Sequence, residues 1–161
     1  MSKAFSYYPF DDDIDAALDA MTSVELNSIL LHEKGEIETG HRLGEEWKML
    51  LTEVTDARVE LMLRTIKDLY ADTSVTLPAL IESNNIASLH FFAGNMTALR
   101  KDLCPSFVTT YKAWCEGASL EYFSAWVLRS QQHWQQLTQA LLAMQTSAPE
   151  ALTKAIEGAR F

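Results

Sequence analysis

The chain has 161 residues, 48% of them hydrophobic and 22% charged, which is enough apolar material for one packed core and too little length for two. Its net charge of −9 leaves no basic stripe for phosphate binding beyond the Arg100-Lys101 pair, so nucleic acid is not an expected partner. The charge is lopsided: residues 1–80 hold 16 acids against 7 bases, whereas residues 81–161 hold 6 of each.

The first ten residues contain no sustained apolar run and lead straight into Asp11, Asp12 and Asp13, which does not read as a secretory signal and gives a cytoplasmic expectation. A short helix is predicted from about Asp12 to Met21, its aspartates at the positive helix end and Ile14, Ala17, Leu18 and Met21 on one face. Ser23 can cap a second helix, because its hydroxyl can accept from free backbone N–H groups. Leu26, Leu30, Ile37, Trp47, Leu51, Val54, Leu61, Ile66 and Leu69 then recur at helical spacing to about Tyr70, as one very long helix or two in line. Gly35, Gly40 and Gly44 weaken that helix by about 1 kcal/mol each relative to alanine, so a kink is expected between Lys34 and Gly44.

Pro78 suits the first turn of a third helix, whose stripe of Leu80, Ile81, Ala87, Phe91, Leu99 and Leu103 ends at Cys104-Pro105. Ser106 can cap a fourth helix to about Met144, and Ser147-Ala148-Pro149-Glu150 opens a short last one that Gly158 ends. No stretch alternates with strand period. The expected fold is all-α: one domain over residues 1–161, an antiparallel bundle of about four long helices, with an N-terminal arm and short helix at 1–22 and a short C-terminal helix at 147–161. The longest uncharged stretch, Ser130 to Pro149, carries six glutamines and is not expected to span a membrane.

Catalytic and metal chemistries find little footing. Glu38-Thr39-Gly40-His41 is half of the paired Glu-x-x-His signature of di-metal bundles, but Glu82, Glu116 and Glu121 are followed three residues on by Asn85, Ser119 and Ser124. His32 with Glu36 and His41 with Glu45 are i,i+4 pairs that surface electrostatics explains as well as a weak metal site does. His90 beside Phe91 and Phe92 has no haem-attachment motif, and Cys104 and Cys115 lack metal or redox spacing. Neither a nucleophile elbow nor a phosphate-cradling glycine loop is present. No catalytic, cofactor or metal residue is assigned.

From Phe107 to Met144 only Lys112, Glu116, Glu121 and Arg129 are charged, while Tyr111, Trp114, Tyr122, Phe123, Trp126 and Trp134 supply a dense aromatic surface. Between Leu120 and Leu128 the apolar side chains point nearly all round the axis, more than one bundle stripe needs. Either this helix is the centre of the core, or part of its surface faces a partner chain or an apolar surface. The latter assigns Tyr111, Trp114, Tyr122, Phe123, Trp126 and Trp134 as contact residues.

The stretch from about Asn84 to Met144, with its turn at Ser83-Asn84-Asn85, its Tyr111/Trp114 pair and its glutamine-rich amphipathic tail, resembles the phasins, small acidic bacterial proteins that coat polyhydroxyalkanoate granules. The resemblance implies a non-enzymatic protein, cytoplasmic or granule-associated, with the Phe107–Met144 helix on the polymer and the acidic half facing water. The alternative is an oligomeric helical adaptor or regulator that uses the same aromatics for a protein partner, and a metal-binding bundle is third. Self-association is expected in the first two cases.

Overall fold

The computed structural model describes residues 2–161 and is all-helical, with no strand among the described residues. In chain order the helices are α1 (Ser2–Phe5), α2 (Ile14–Glu53), α3 (Ala57–Ala71), a π-helical turn (Asp72–Thr76), α4 (Leu77–Glu82), α5 (Ile86–Asn95), α6 (Ala98–Leu103), α7 (Pro105–Cys115), α8 (Leu120–Ala143) and α9 (Pro149–Glu157).

Ser23 caps nothing. Asp13 does so instead, its carboxylate accepting from Ala16 N at 3.0 Å, and the short first helix and the N-terminal part of the second fuse into α2. Of the three glycines, only Gly44 leaves helical geometry, at φ 68° and ψ −162°, and it kinks α2 there. The expected continuation to Tyr70 breaks at Val54–Asp56, where Asp56 accepts from Val59 N at 2.9 Å and starts α3. α3 returns antiparallel along α2. Gly35 lets the two backbones meet: a Cβ there would stand 3.0 Å from Ala71 O.

The expected third and fourth helices are also divided. Asn84, at φ 51°, separates α4 from α5, and Thr97 caps α6 by accepting from Arg100 N. Gly117, at φ 113°, ends α7, after which Ser119 caps α8 and the chain reverses onto itself. The molecule is therefore an assembly of one kinked long helix and shorter ones packed around α3 and α8, where the sequence pattern had suggested four long helices.

α3 and α8 carry the centre of the core. Leu63 and Ile66 of α3 and Phe123, Trp134 and Leu141 of α8 are all but inaccessible, and each such side chain contributes about 1.5–3 kcal/mol through burial. The C-terminal residue closes the core from one side: Phe161 N donates to Leu103 O at 2.9 Å, Phe161 O accepts from Ser106 N at 2.9 Å, and its ring stacks on His133 at 4.8 Å.

Candidate functional site

The predicted aromatic contact residues come together, but in the core. Phe123, Trp126 and Trp134 are buried, Tyr111 and Trp114 are half-buried, and only Tyr122 is exposed. Rings succeed one another from Trp114 to Phe123 (5.4 Å), Trp126 (5.7 Å), Phe161 (6.3 Å) and Trp134 (6.3 Å). Both buried indoles of α8 are satisfied, Trp126 Nε1 donating to Ser106 Oγ and Trp134 Nε1 to Ser130 Oγ, each at 2.9 Å. Tyr111 shares a 2.8 Å hydrogen bond with His90 Nδ1, and Trp114 stacks on the same imidazole at 4.7 Å. This corrects the surface assignment of Phe123, Trp126 and Trp134. Most of the apolar surface at the start of α8 is covered, by α7, turned back at Gly117, and by α3, α9 and Phe161, while Tyr122 and Leu128 stay exposed.

An apolar strip without a partner among the described residues lies on α2, at positions whose spacing is that of a core face. Leu18 (49% exposed), Leu26 (55%), Ile29 (51%), Leu30 (58%) and Ile37 (60%) line its outer face. The face turned to the body carries Ala17, Glu25, Ser28, Gly35 and Thr39, all buried, with His32 half-buried among them. The N-terminal part of α2 thus has inverted amphipathicity, with small and polar groups inside and aliphatic ones outside. At 1.5 Å per residue the strip from Leu18 to Ile37 is about 28 Å long. Part of it borders a groove of about 270 Å³ in which Leu18, Leu26 and Ile29 face Phe91 of α5.

Polar bonds hold this helix in place. Glu25 accepts from Tyr8 Oη at 2.9 Å, Ser28 Oγ at 2.9 Å and Ser88 Oγ at 3.0 Å, tying the arm, α2 and α5 together through one buried carboxylate. Burial, and then the Glu25 carboxylate, raises the Tyr8 phenol above its ordinary range. One turn and more further on, His32 Nδ1 meets Asp72 Oδ1 at 2.7 Å and its Nε2 meets Glu36 Oε1 at 3.0 Å. The Asp72 bond raises the His32 pKa and burial opposes it, so this imidazole favours the charged form more than a free histidine does. Asp72, fully buried in the π-helical turn, also accepts from Arg100 at 3.0 Å and from Thr76 Oγ1 at 3.1 Å. Arg100 reaches on to Asp68 at 3.1 Å, yet burial still leaves the Asp68 pKa raised.

The remaining candidates stand apart. Glu38 pairs with Lys34 at 3.8 Å and Arg42 at 3.5 Å on the surface, and His41 is exposed. Among the described residues no three His, Cys, Asp or Glu side chains gather as a metal ion requires. Nor is any described helix long and apolar enough to cross a membrane. Cys104 is buried, and burial pushes its thiol up to about 11, far from the range of reactive cysteines.

The chain belongs to the family described as "Family of unknown function (DUF6866) C-terminal domain", whose model matches residues 1–160. No curated protein and no solved structure matches it.

Proposed function

We propose that this member of a family of unknown function is a non-enzymatic, self-associating helical adaptor that works through the outer face of α2. The observation that carries the reading is the inverted amphipathicity of residues 18–37: exposed leucine and isoleucine side chains recur along one face while a carboxylate is buried on the other. Five such side chains along one helix, interrupted by the exposed Asp19 and Glu33, form an apolar strip of the size that on a single chain is often functional.

The occupant we assign to this face is a second copy of the chain, argued from charge. With Leu30 near a two-fold axis, antiparallel α2 helices bring Asp19 of one copy close to His41 and Arg42 of the other, with Asp15 opposite Glu45 as the one unfavourable pair, whereas a parallel pairing sets Asp15, Asp19 and Glu33 each against its own copy. The strip offers roughly 300 Å² per copy if it is one helix diameter of about 10 Å wide, below the roughly 800 Å² of a standard interface. Association is accordingly expected to depend on concentration. Light scattering coupled to size exclusion tests this: the wild type should move from monomer towards dimer with concentration, and L26E/L30E should stay a monomer of unchanged helicity. A wild type that is monomeric throughout, or a double variant that still associates, contradicts the proposal.

A second reading, phasin-like coating of an uncharged polymer surface, would use the same α2 face in place of the buried aromatics. The acidic flank of Asp11–Asp13, Asp15 and Asp19 favours an uncharged surface over an anionic lipid one, which basic residues would be needed to attract. Retention on polyhydroxyalkanoate granules that L26E/L30E abolishes would support it.

A further inference from the structure

Beneath the α2 face, on the far side of Ile29, lies a cavity of about 320 Å³ that joins an apolar wall to a fixed polar floor. Ile29, Leu80, Phe91 and Phe92 form the wall; His32, Asp72 and Arg100 form the floor. Its size is at the lower end for small-molecule sites, and a mostly apolar lining with a few convergent polar groups is their common composition. The floor is rigid. Asp72, with no exposure to solvent, holds His32 by one oxygen and Arg100 by the other from a π-helical turn, a feature found disproportionately at functional sites.

Two further observations specify the occupant. The Asp72 and Asp68 bonds engage two N–H groups of Arg100, and no other acceptor among the described residues pairs with it, which leaves this cavity-lining side chain with N–H groups that no protein acceptor occupies. The charges around the floor balance as well. Asp72, Asp68 and Glu36 face Arg100, Lys67 and His32, which lies between two carboxylates that favour its charged form, so the acids and bases match when His32 carries its proton and a charged ligand would then leave net charge unpaired beside an apolar wall. We infer that this cavity binds a neutral, largely apolar small molecule that carries a hydrogen-bond acceptor, with its ring or chain against Phe91 and Phe92 and its acceptor towards Arg100. The site shares Ile29 with the self-association face proposed above, but Leu26 and Leu30 do not line it, so changes at those two positions test the face without removing the cavity wall.

The probe for the test is prodan, a neutral naphthalene bearing a ketone, whose emission moves to the blue on leaving water. Titrated into the full chain, it should bind saturably at one site per chain with a blue shift. The analogue 6-propyl-2-(dimethylamino)naphthalene, in which a methylene replaces the ketone and the chain length is kept, should bind about tenfold more weakly, read by competition against prodan. Asn95 lies exposed at the mouth, so Asn95→Trp should plug the cavity and weaken prodan about tenfold or more with helicity unchanged. Should that variant fold poorly, Phe91→Ala, at a half-exposed position, should weaken binding by removing the wall. Leu30→Glu should leave prodan binding intact while impairing self-association. The inference is overturned by absent or unsaturable binding, by equal affinity for the two probes, or by loss of binding in Leu30→Glu with Asn95→Trp unaffected.

Discussion

Alanine in place of Gly44 should destabilise the protein by about 1–3 kcal/mol, because φ 68° with ψ −162° lies in a region that side chains with a Cβ enter only under strain of that order. No neighbour lies within 4 Å of the added Cβ, so the penalty is one of backbone conformation alone. Gly40 supplies the contrast within the same helix. Its backbone is helical and its nearest neighbour would be the Lys67 side chain at 4.0 Å, so Gly40→Ala should stabilise by about 0.5–1 kcal/mol through helix propensity. Urea unfolding followed by circular dichroism measures both, and the two midpoints should move in opposite directions. A Gly44→Ala variant as stable as Gly40→Ala would mean that α2 runs straight through residue 44. The kink would then not separate the segment bearing the apolar outer face from the segment that buries Trp47 and Leu50.

Trp126→Ala should cost about 3–5 kcal/mol, visible as a large fall in the thermal midpoint, since it opens a cavity beside Phe107 and Phe123 and strips Ser106 of its indole donor; a shift within error would return Trp126 to the surface. His32→Gln should make stability less dependent on pH. A histidine whose folded pKa lies above its free value of 6.5 contributes fully below 6.5 and loses that contribution as pH rises through the folded value, so the wild type should exceed the variant by more at pH 6 than at pH 9. A constant or reversed difference would contradict the Asp72 pairing. Thiol titration of the native protein with a disulfide reagent at pH 8 should modify Cys115 promptly and Cys104 only after unfolding, since Cys104 is buried with its thiol pushed to about 11; two promptly reactive thiols would show that the α6–α7 junction opens.

Local punctuation made much of the helix layout readable. Cys104-Pro105 marks the α6–α7 boundary and Pro149 and Gly158 frame α9, whereas the turn at Asn84 divides a stretch whose apolar stripe reads as one helix. Misreadings arose where local signals compete. Ser23 and Asp13 are both competent caps, and the segment between them is helical enough to make Ser23 interior. Gly117 was a strong reversal signal inside a segment otherwise so apolar that it read as one helix.

The candidate site was harder to read for a different reason. Periodicity identifies an apolar face but not the direction in which it points. Leu26, Leu30 and Ile37 have the spacing of core positions, and only contacts distant in sequence turn them outwards. Ser88 binds Glu25 across 63 residues and Asp72 binds His32 across 40, fixing the polar face inside. The aromatics of α8 erred the other way: their all-round distribution suggested excess surface, while the reversal at Gly117 and the closure by Phe161 supply the cover.

The most direct test of the α2 face is a proximity measurement between copies. In a Cys115→Ser background, where the remaining Cys104 is buried, Leu30→Cys and Leu61→Cys each place one accessible thiol, at two comparably exposed positions, one on the α2 strip and one on the outer side of α3. Under mild oxidation Leu30→Cys should form an intermolecular disulfide rapidly, because the proposed antiparallel pairing of α2 would bring the two copies of residue 30 together, while Leu61→Cys should remain largely reduced. Equal cross-linking at both positions, or none at residue 30, would contradict self-association through α2.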